Sequence, residues 1–183
     1  MKIAVLGSKG FVGRSIAQHF SDKHQVFPLS RENIDLLDFN QVKKFLGDYN
    51  PDCIINAAAT MTHASMVTDT RNNLGIFMNF YNNRHLFGRF INLGSGAEFD
   101  RTKNINLAKP EQIFDILPED SYGLGQNLKA RISVQTENFY NLRIFNCFGY
   151  GEIQTRIFPK FLNEDGPLLI DDRLFDYFSI QDL

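Results

Sequence analysis

Lys2-Ile3-Ala4-Val5-Leu6-Gly7-Ser8-Lys9-Gly10-Phe11-Val12-Gly13 opens the chain. The run from Lys2 to Leu6 is short, aliphatic and partly β-branched, and it stops at a glycine, so it reads as a buried strand. Beyond Phe11 the spacing changes. Val12, Ile16 and Phe20 recur every four residues with Ala17 beside them, which is one face of a helix. Three glycines between a strand and a helix have a mechanical use. They accept positive φ, let a pyrophosphate approach the backbone and let helix and strand pack closely. The first N–H groups of the helix then face the phosphates. Gly7, Lys9, Gly10, Phe11, Val12 and Gly13 are therefore the candidate phosphate cradle.

The alternation continues outward from this unit. Gln25–Leu29 reads as a strand. Asp38 can cap a helix whose apolar face is Val42, Phe45 and Leu46, and Asn50-Pro51 stops it. Residues 53–57 read as a strand, and Leu74, Phe77, Met78 and Tyr81 as a helix face. Residues 90–93 form a strand that runs into Gly94-Ser95-Gly96. A helix with Leu124, Leu128 and Ile132 follows Ser121-Tyr122, residues 142–145 give another strand, and residues 168–183 suggest two short strands around Asp171-Asp172. Apolar strands alternating with amphipathic helices predict an α/β fold: a doubly wound parallel sheet with helices on both faces, in one domain over residues 1–183. Such sheets bind ligands beyond the carboxyl ends of their strands.

Composition narrows the function. The chain has 183 residues, 19 Lys+Arg against 21 Asp+Glu, and a net charge of −2. That balance lacks the cation excess of a nucleic-acid binder, so no nucleic-acid partner is expected. No apolar run approaches the ~20 residues of a membrane span, and Lys2 precedes only four apolar residues, which does not read as a signal peptide. Cys53 and Cys147 lie within apolar runs and read as buried thiols of a reducing, cytoplasmic compartment, with no disulfide and no metal site. The 18 Phe and absent Trp indicate a core built on phenylalanine.

The spacing G-x-x-G-x-x-G resembles the extended short-chain dehydrogenase/reductase superfamily, the NAD(P)-dependent nucleotide-sugar epimerases, dehydratases and reductases. Further segments resemble that family's motifs in order. They are Asn56-Ala57-Ala58-Ala59, Gly94-Ser95-Gly96-Ala97-Glu98-Phe99, Ser121-Tyr122-Gly123-Leu124-Gly125-Gln126, residues 142–149, and the Asp176-Tyr177-Phe178 region. The run from Leu29 to Asp38 is most similar to GDP-fucose synthase-type reductases. The resemblance implies a Rossmann-like fold and a nucleotide-sugar substrate. It places Asp35 and Leu36 against the adenine, Ala57, Ala58 and Ala59 along a ribose, and Asn146 at the nicotinamide end. The second strand offers Arg31, with Lys9 nearby, rather than an acid, which favours NADP; the adjacent Glu32 keeps NAD open. Family members dimerise through the helix bearing Tyr122 and the one before it, so a homodimer is expected, and exposed phenylalanines on those helices would mark it.

By the same resemblance Tyr122 is the general acid/base, Ser95 hydrogen-bonds the reacting carbonyl, and a lysine belongs four residues after the tyrosine. Position 126 is Gln. A phenol without a neighbouring cation keeps its proton at neutral pH, so reduction, which needs an acid, should survive better than oxidation, which needs a base. Gln126 can still bond a ribose hydroxyl. Lys129 lies seven residues after Tyr122, ~10 Å of rise, which reads as too far to substitute easily. The expected activity is an NADP-dependent nucleotide-sugar reductase or epimerase. The alternative is a catalytically silent dinucleotide-binding module, a sensor or oligomer subunit. His63, with Thr60 and Thr62, follows the alanine turn and reads as a core or surface residue, with a substrate-facing position as the alternative. His19, His24 and His85 read as surface residues. Residues 150–183, with Arg156, Phe158 and Phe161, resemble only the start of the family's substrate segment; Phe175 replaces its usual Arg.

Overall fold

The structure is a computed structural model that describes residues 1–60, 66–103, 105, 107–163 and 176–183. It divides into two compact units, Met1–Ile144 and Phe145–Leu183, where the sequence suggests one domain that changes character near residue 150. The first unit alternates β1 (Lys2–Leu6), α1 (Phe11–Ser21), β2 (Gln25–Leu29), α2 (Phe39–Tyr49), β3 (Cys53–Asn56), α3 (Met66–Asn82), β4 (Arg89–Ser95), α4 (Ser121–Val134) and β5 (Phe139–Ile144). The strands form one parallel sheet in the order β2-β1-β3-β4-β5. The chain winds outward from β1 to β2, then crosses back to β3, which makes the β1/β3 edge the switch point of the sheet.

Both faces of the sheet are covered, so its strands read as unbroken apolar runs. Ala4, Leu6, Ile54 and Phe90 pack with Val42, Leu46, Phe77 and Phe80 of α2 and α3. Ile3, Val5, Cys53 and Ile55 face the other way, onto Ile16 of α1. Phenylalanine does build this core. The Phe90 ring stacks on Phe139 at 4.9 Å between centroids and meets Phe77 edge-on at 5.5 Å. Each such ring removed from water is worth roughly 1.5–3 kcal/mol. Asp38 caps α2 as expected: its carboxylate accepts the Gln41 N–H at 3.2 Å and the Asn40 N–H at 2.8 Å. Those bonds, Gln41's first, hold its carboxyl below the ordinary range. Asn50 ends the helix in a left-handed conformation with φ 44°.

Three strand boundaries differ from the sequence reading. β3 stops at Asn56, which leaves Ala57 in the turn. β4 runs from Arg89 and carries Gly94 and Ser95 within its last turn of ladder. β5 begins at Phe139 and excludes Phe145. The cause is pairing: the ladder joins Phe90 to Phe139 and continues to Ser95 and Ile144, so hydrogen-bond register, not the apolar run, sets the ends. Burial pushes the Cys53 thiol up to about 11, and both cysteines are free and buried.

The second unit pairs β6 (Cys147–Phe148) with β7 (Phe178–Ser179) in parallel and adds α5 (Ile157–Asn163). Phe158 bridges Phe148 at 4.7 Å and Tyr177 at 5.0 Å. Arg156 pairs with buried Glu152 at 2.7 Å. Asp171, Asp172 and Phe175 lie outside the described residues. Among the described residues no helix is long and apolar enough to cross a membrane.

Candidate active site

The glycine turn and the alanine turn meet at the switch point. Gly7 sits at φ 73°, and a Cβ there would stand 2.8 Å from the Ala58 Cα and 2.9 Å from the Ala57 carbonyl oxygen. Only glycine brings the two turns this close. A Cβ on Gly13 would strike the Gly7 carbonyl, so the start of α1 is pressed onto the same turn. Gly10 is the N-cap of α1, and no side chain caps the helix. The leading N–H groups of Phe11, Val12 and Gly13 therefore point into the turn without a side-chain partner, the arrangement that suits an anion. Ser8 ties the turn to β2, its N–H and hydroxyl both donating to the Leu29 carbonyl, at 3.0 and 3.1 Å.

Beyond β2 the charged residues stand in the open. Lys9 reaches across to pair with Glu32. Arg31 is exposed and makes no ion pair among the described residues. Asp35 is exposed, and its carboxylate accepts the Leu37 N–H at 2.9 Å, whereas Leu36 is a buried member of the main core.

Ser95 ends β4, and its hydroxyl oxygen accepts the Ala97 N–H at 3.2 Å while its O–H remains a donor. Its backbone is held by Glu98, a fully buried carboxylate. Glu98 accepts the Ser95 N–H at 3.0 Å, the Asn141 amide at 2.8 Å and Arg143 Nε at 2.7 Å. From Asn141 the bonds run across the sheet. Asn92 donates to Asn141 at 2.7 Å, Asn56 donates to Asn92 at 3.0 Å, and the Asn56 oxygen accepts the Ala58 N–H at 3.3 Å. These asparagines are direct register partners on β3, β4 and β5. One polar line thus joins the alanine turn to the Ser95 segment. A Cβ on Gly94 would strike the Glu98 carboxylate and the Asn141 amide, which explains a glycine inside this strand. None of Asn92, Glu98, Asn141 and Arg143 stood out as a site residue in the sequence; the asparagines at 56, 92 and 141, each within a strand, were the available signal.

Tyr122 lies in the first turn of α4. Asp120 caps that helix, accepting the Gly123 N–H at 3.0 Å, and Arg101 grips the same carboxylate at 3.1 and 3.0 Å. The Arg101 guanidinium thereby stands over the Tyr122 ring, 5.1 Å from its centroid. Gly123 packs on Ala97, where a Cβ would come within 2.8 Å of its carbonyl oxygen, so Tyr122 and Ser95 flank one contact. Asn127 secures the arrangement by donating to the carbonyls of Glu98 at 2.9 Å and Ile113 at 3.0 Å.

Lys129 departs from the sequence reading. Counted by rise along the helix it is remote from Tyr122. In the structure Tyr122, Gln126 and Lys129 line one small cavity with Thr70, Asn73 and Leu74 of α3. Helical side chains lean toward the helix N-terminus, so a long chain at 129 reaches back toward the level of 126. Lys129 is 3% exposed, and burial pulls its pKa down to about 8 against a smaller opposing pull from Glu98. α3 also steadies the chain after the alanine turn: Asn73 accepts the Thr60 N–H at 2.7 Å and donates to its carbonyl at 3.1 Å.

Asn146 belongs to the second unit, where its carbonyl accepts the Phe178 N–H at 3.2 Å. Thr62 and His63 lie outside the described residues, and His19 and His85 are exposed. Phe77 and Phe80 of α3 are buried and α4 carries no phenylalanine, so the described residues lack the exposed rings that would mark a helix-pair dimer. An open hollow of about 560 Å³ lies at the opposite end of the sheet by Lys2 and Asp52 and holds none of these residues.

Known proteins share this fold. A dTDP-4-dehydrorhamnose reductase from Burkholderia thailandensis is 28% identical over 166 residues, 86% of this chain and 55% of the relative. The chain thus spans about half the length of that curated relative. A GDP-L-fucose synthetase from Naegleria fowleri bound to NADP superposes with a TM-score of 0.79 at 15% identity, covering 99% of this chain and 69% of that one. A GDP-mannoheptose C4 reductase from Campylobacter jejuni with NADP bound gives 0.69 at 23% identity, covering 80% and 52%. At such identities the likeness of the solved structures establishes the fold. The sequence profile of one family matches residues 3–166, from the first strand through the glycine turn, the asparagine line and the Tyr122 helix, and this chain belongs to that family, the NAD dependent epimerase/dehydratase family.

Proposed function

We propose that this chain binds NADP(H) at the carboxyl ends of β1 and β3 and serves the reduction of a nucleotide-linked keto-sugar. The observation that carries the reading is the Gly7 turn, pressed on Ala57 and Ala58 with the N–H groups of α1 uncapped beside it. Residues Gly7, Gly10 and Gly13 with the α1 N-terminus would hold the pyrophosphate, and Ala57–Ala59 would border a ribose. Arg31 and Lys9 would meet a 2′-phosphate. The Lys9–Glu32 pair does not prevent this, because both side chains are well exposed, at 64% and 71%, and such pairs are worth at most about 1 kcal/mol. When bound, the dinucleotide supplies the hydride.

The chain's own groups would manage the proton and the geometry. Tyr122 donates its phenolic proton to the carbonyl oxygen as that oxygen gains charge, and the Ser95 O–H orients the same oxygen. Arg101 holds the Tyr122 ring from the solvent side. Gln126 stands where the usual lysine is expected, and reduction, which needs Tyr122 as an acid, does not depend on that lysine. Relatives named for keto-sugar reduction, and neighbours named with NADP, support the substrate class and the cofactor.

Gln126 is also the observation that favours a second reading, a dinucleotide-binding module without turnover. Following NADPH absorbance with dTDP- and GDP-linked 4-keto-hexoses separates the two. The reductase reading predicts consumption that Tyr122→Phe abolishes. Tight NADPH binding with no consumption on any of these sugars would favour the silent module.

A further inference from the structure

The cavity between α3 and α4 holds polar groups with unmet capacity. Gln126 Oε1 and Thr70 Oγ1 are buried there without a hydrogen-bond partner among the described residues. The Lys129 side chain, 3% exposed, lines the same cavity and makes no hydrogen bond or ion pair among the described residues. The cavity measures about 10 Å³, the room that a single bridging water needs. The two helices close tightly around it: a Cβ on Gly125 would stand 2.6 Å from Thr70 Cγ2. An ammonium left unpaired at this depth is costly unless it serves something. Gln126 Oε1 and Thr70 Oγ1 belong to residues that line the same cavity as Lys129, and Gln126 stands where the lysine is expected.

We propose that Lys129 is a positioning residue of the Tyr122 site: its ammonium, sealed between α3 and α4, anchors the Gln126 carbonyl, turns the Gln126 amide N–H groups toward the dinucleotide ribose, and restores the positive charge that residue 126 lacks. This rests on the proposed binding of NADP(H). Among the described residues, the charged and titratable groups around Lys129 are few. Glu98, on the turn at residues 96–99, acts on it and is itself neutralised by Arg143. Tyr122 shares the cavity with Arg101 above its ring, and Asp69 adjoins Thr70 on α3.

The test is calorimetric titration with NADPH, first on the parent protein and then on Lys129→Met and the double variant Gln126→Lys/Lys129→Met. The parent should bind, and its affinity should fall as pH rises through about 8, where Lys129 loses its proton. Lys129→Met should bind roughly ten- to a hundredfold more weakly at pH 7, the worth of one charged hydrogen bond, with no such pH dependence. The double variant, which moves the cation one turn along, should regain most of the affinity. Gln126→Lys alone should gain little over the parent, whose positive charge Lys129 already supplies, and an equal gain with and without Lys129 would overturn the proposal. Equal affinity and equal pH dependence in the parent and Lys129→Met would overturn the proposal and leave the binding reading intact. A double variant no better than Lys129→Met would also overturn it. No binding by the parent would remove the functional reading itself. Lys129→Met replaces a buried charge by an apolar chain of similar volume, so folding should hold; if it does not, Lys129→Gln takes its place and the same outcomes apply.

Discussion

Two side chains carry the sharpest residue-scale consequences. Arg31 stands exposed beside the Lys9–Glu32 pair, where a 2′-phosphate would lie. Arg31→Ala should weaken NADPH binding about tenfold, the loss of one charge-assisted contact, and NADH binding less than about twofold. Equal losses for both nucleotides would sever Arg31 from cofactor choice. Lys129 makes a stability prediction of opposite sign to its functional one. Its folded pKa, about 8, lies below the ordinary 10.5. Between those values the unfolded chain binds the extra proton and the native one does not, so this group adds stability as pH rises from 8 toward 10.5. At pH 7 Lys129→Met should therefore be the more stable protein, by on the order of 3 kcal/mol at most, and the gap should close in alkali. Urea unfolding at pH 7 and pH 10 measures it, and a gap that ignores pH would contradict the burial argument. Nothing in the sequence announced Lys129 as buried. Its linear distance from Tyr122 argued for the reverse, because a helix position gives the Cα and not the reach of a long side chain.

At the scale of elements, the line from Asn56 through Asn92 and Asn141 to Glu98 joins two functional turns across three strands. Asn141→Leu would leave Asn92 and Glu98 each short of a buried partner, and should cost roughly 2–4 kcal/mol in urea unfolding. A cost near zero would mean that water replaces the amide and that the line is not a strut. Gly7→Ala adds a Cβ at φ 73° against the backbone of Ala58. It should lower the melting temperature and abolish NADPH binding, whereas an unchanged affinity would remove the glycine turn from the site. The strands, the α1, α2, α3 and α4 helices and the Asp38 cap were legible because local periodicity and capping chemistry encode them. The asparagine line was not, since register is a long-range property and a single Asn in an apolar strand looks like an exception. The ends of β3 and β5 were missed for the same reason.

On the scale of the molecule, the doubly wound sheet, its switch point and the family were all readable from the order of motifs. The sequence places a change of character near residue 150, and the second compact unit begins at Phe145. The site built here uses the first unit alone: the glycine turn, the alanine turn, Ser95 and Tyr122 all lie within Met1–Ile144. The central claim is that this surface holds a phosphorylated dinucleotide. Isothermal titration of the nucleotide-free protein with NADPH and NADH tests it most directly. The account predicts micromolar binding of NADPH and distinctly weaker binding of NADH. Failure to bind either at millimolar concentration would contradict it.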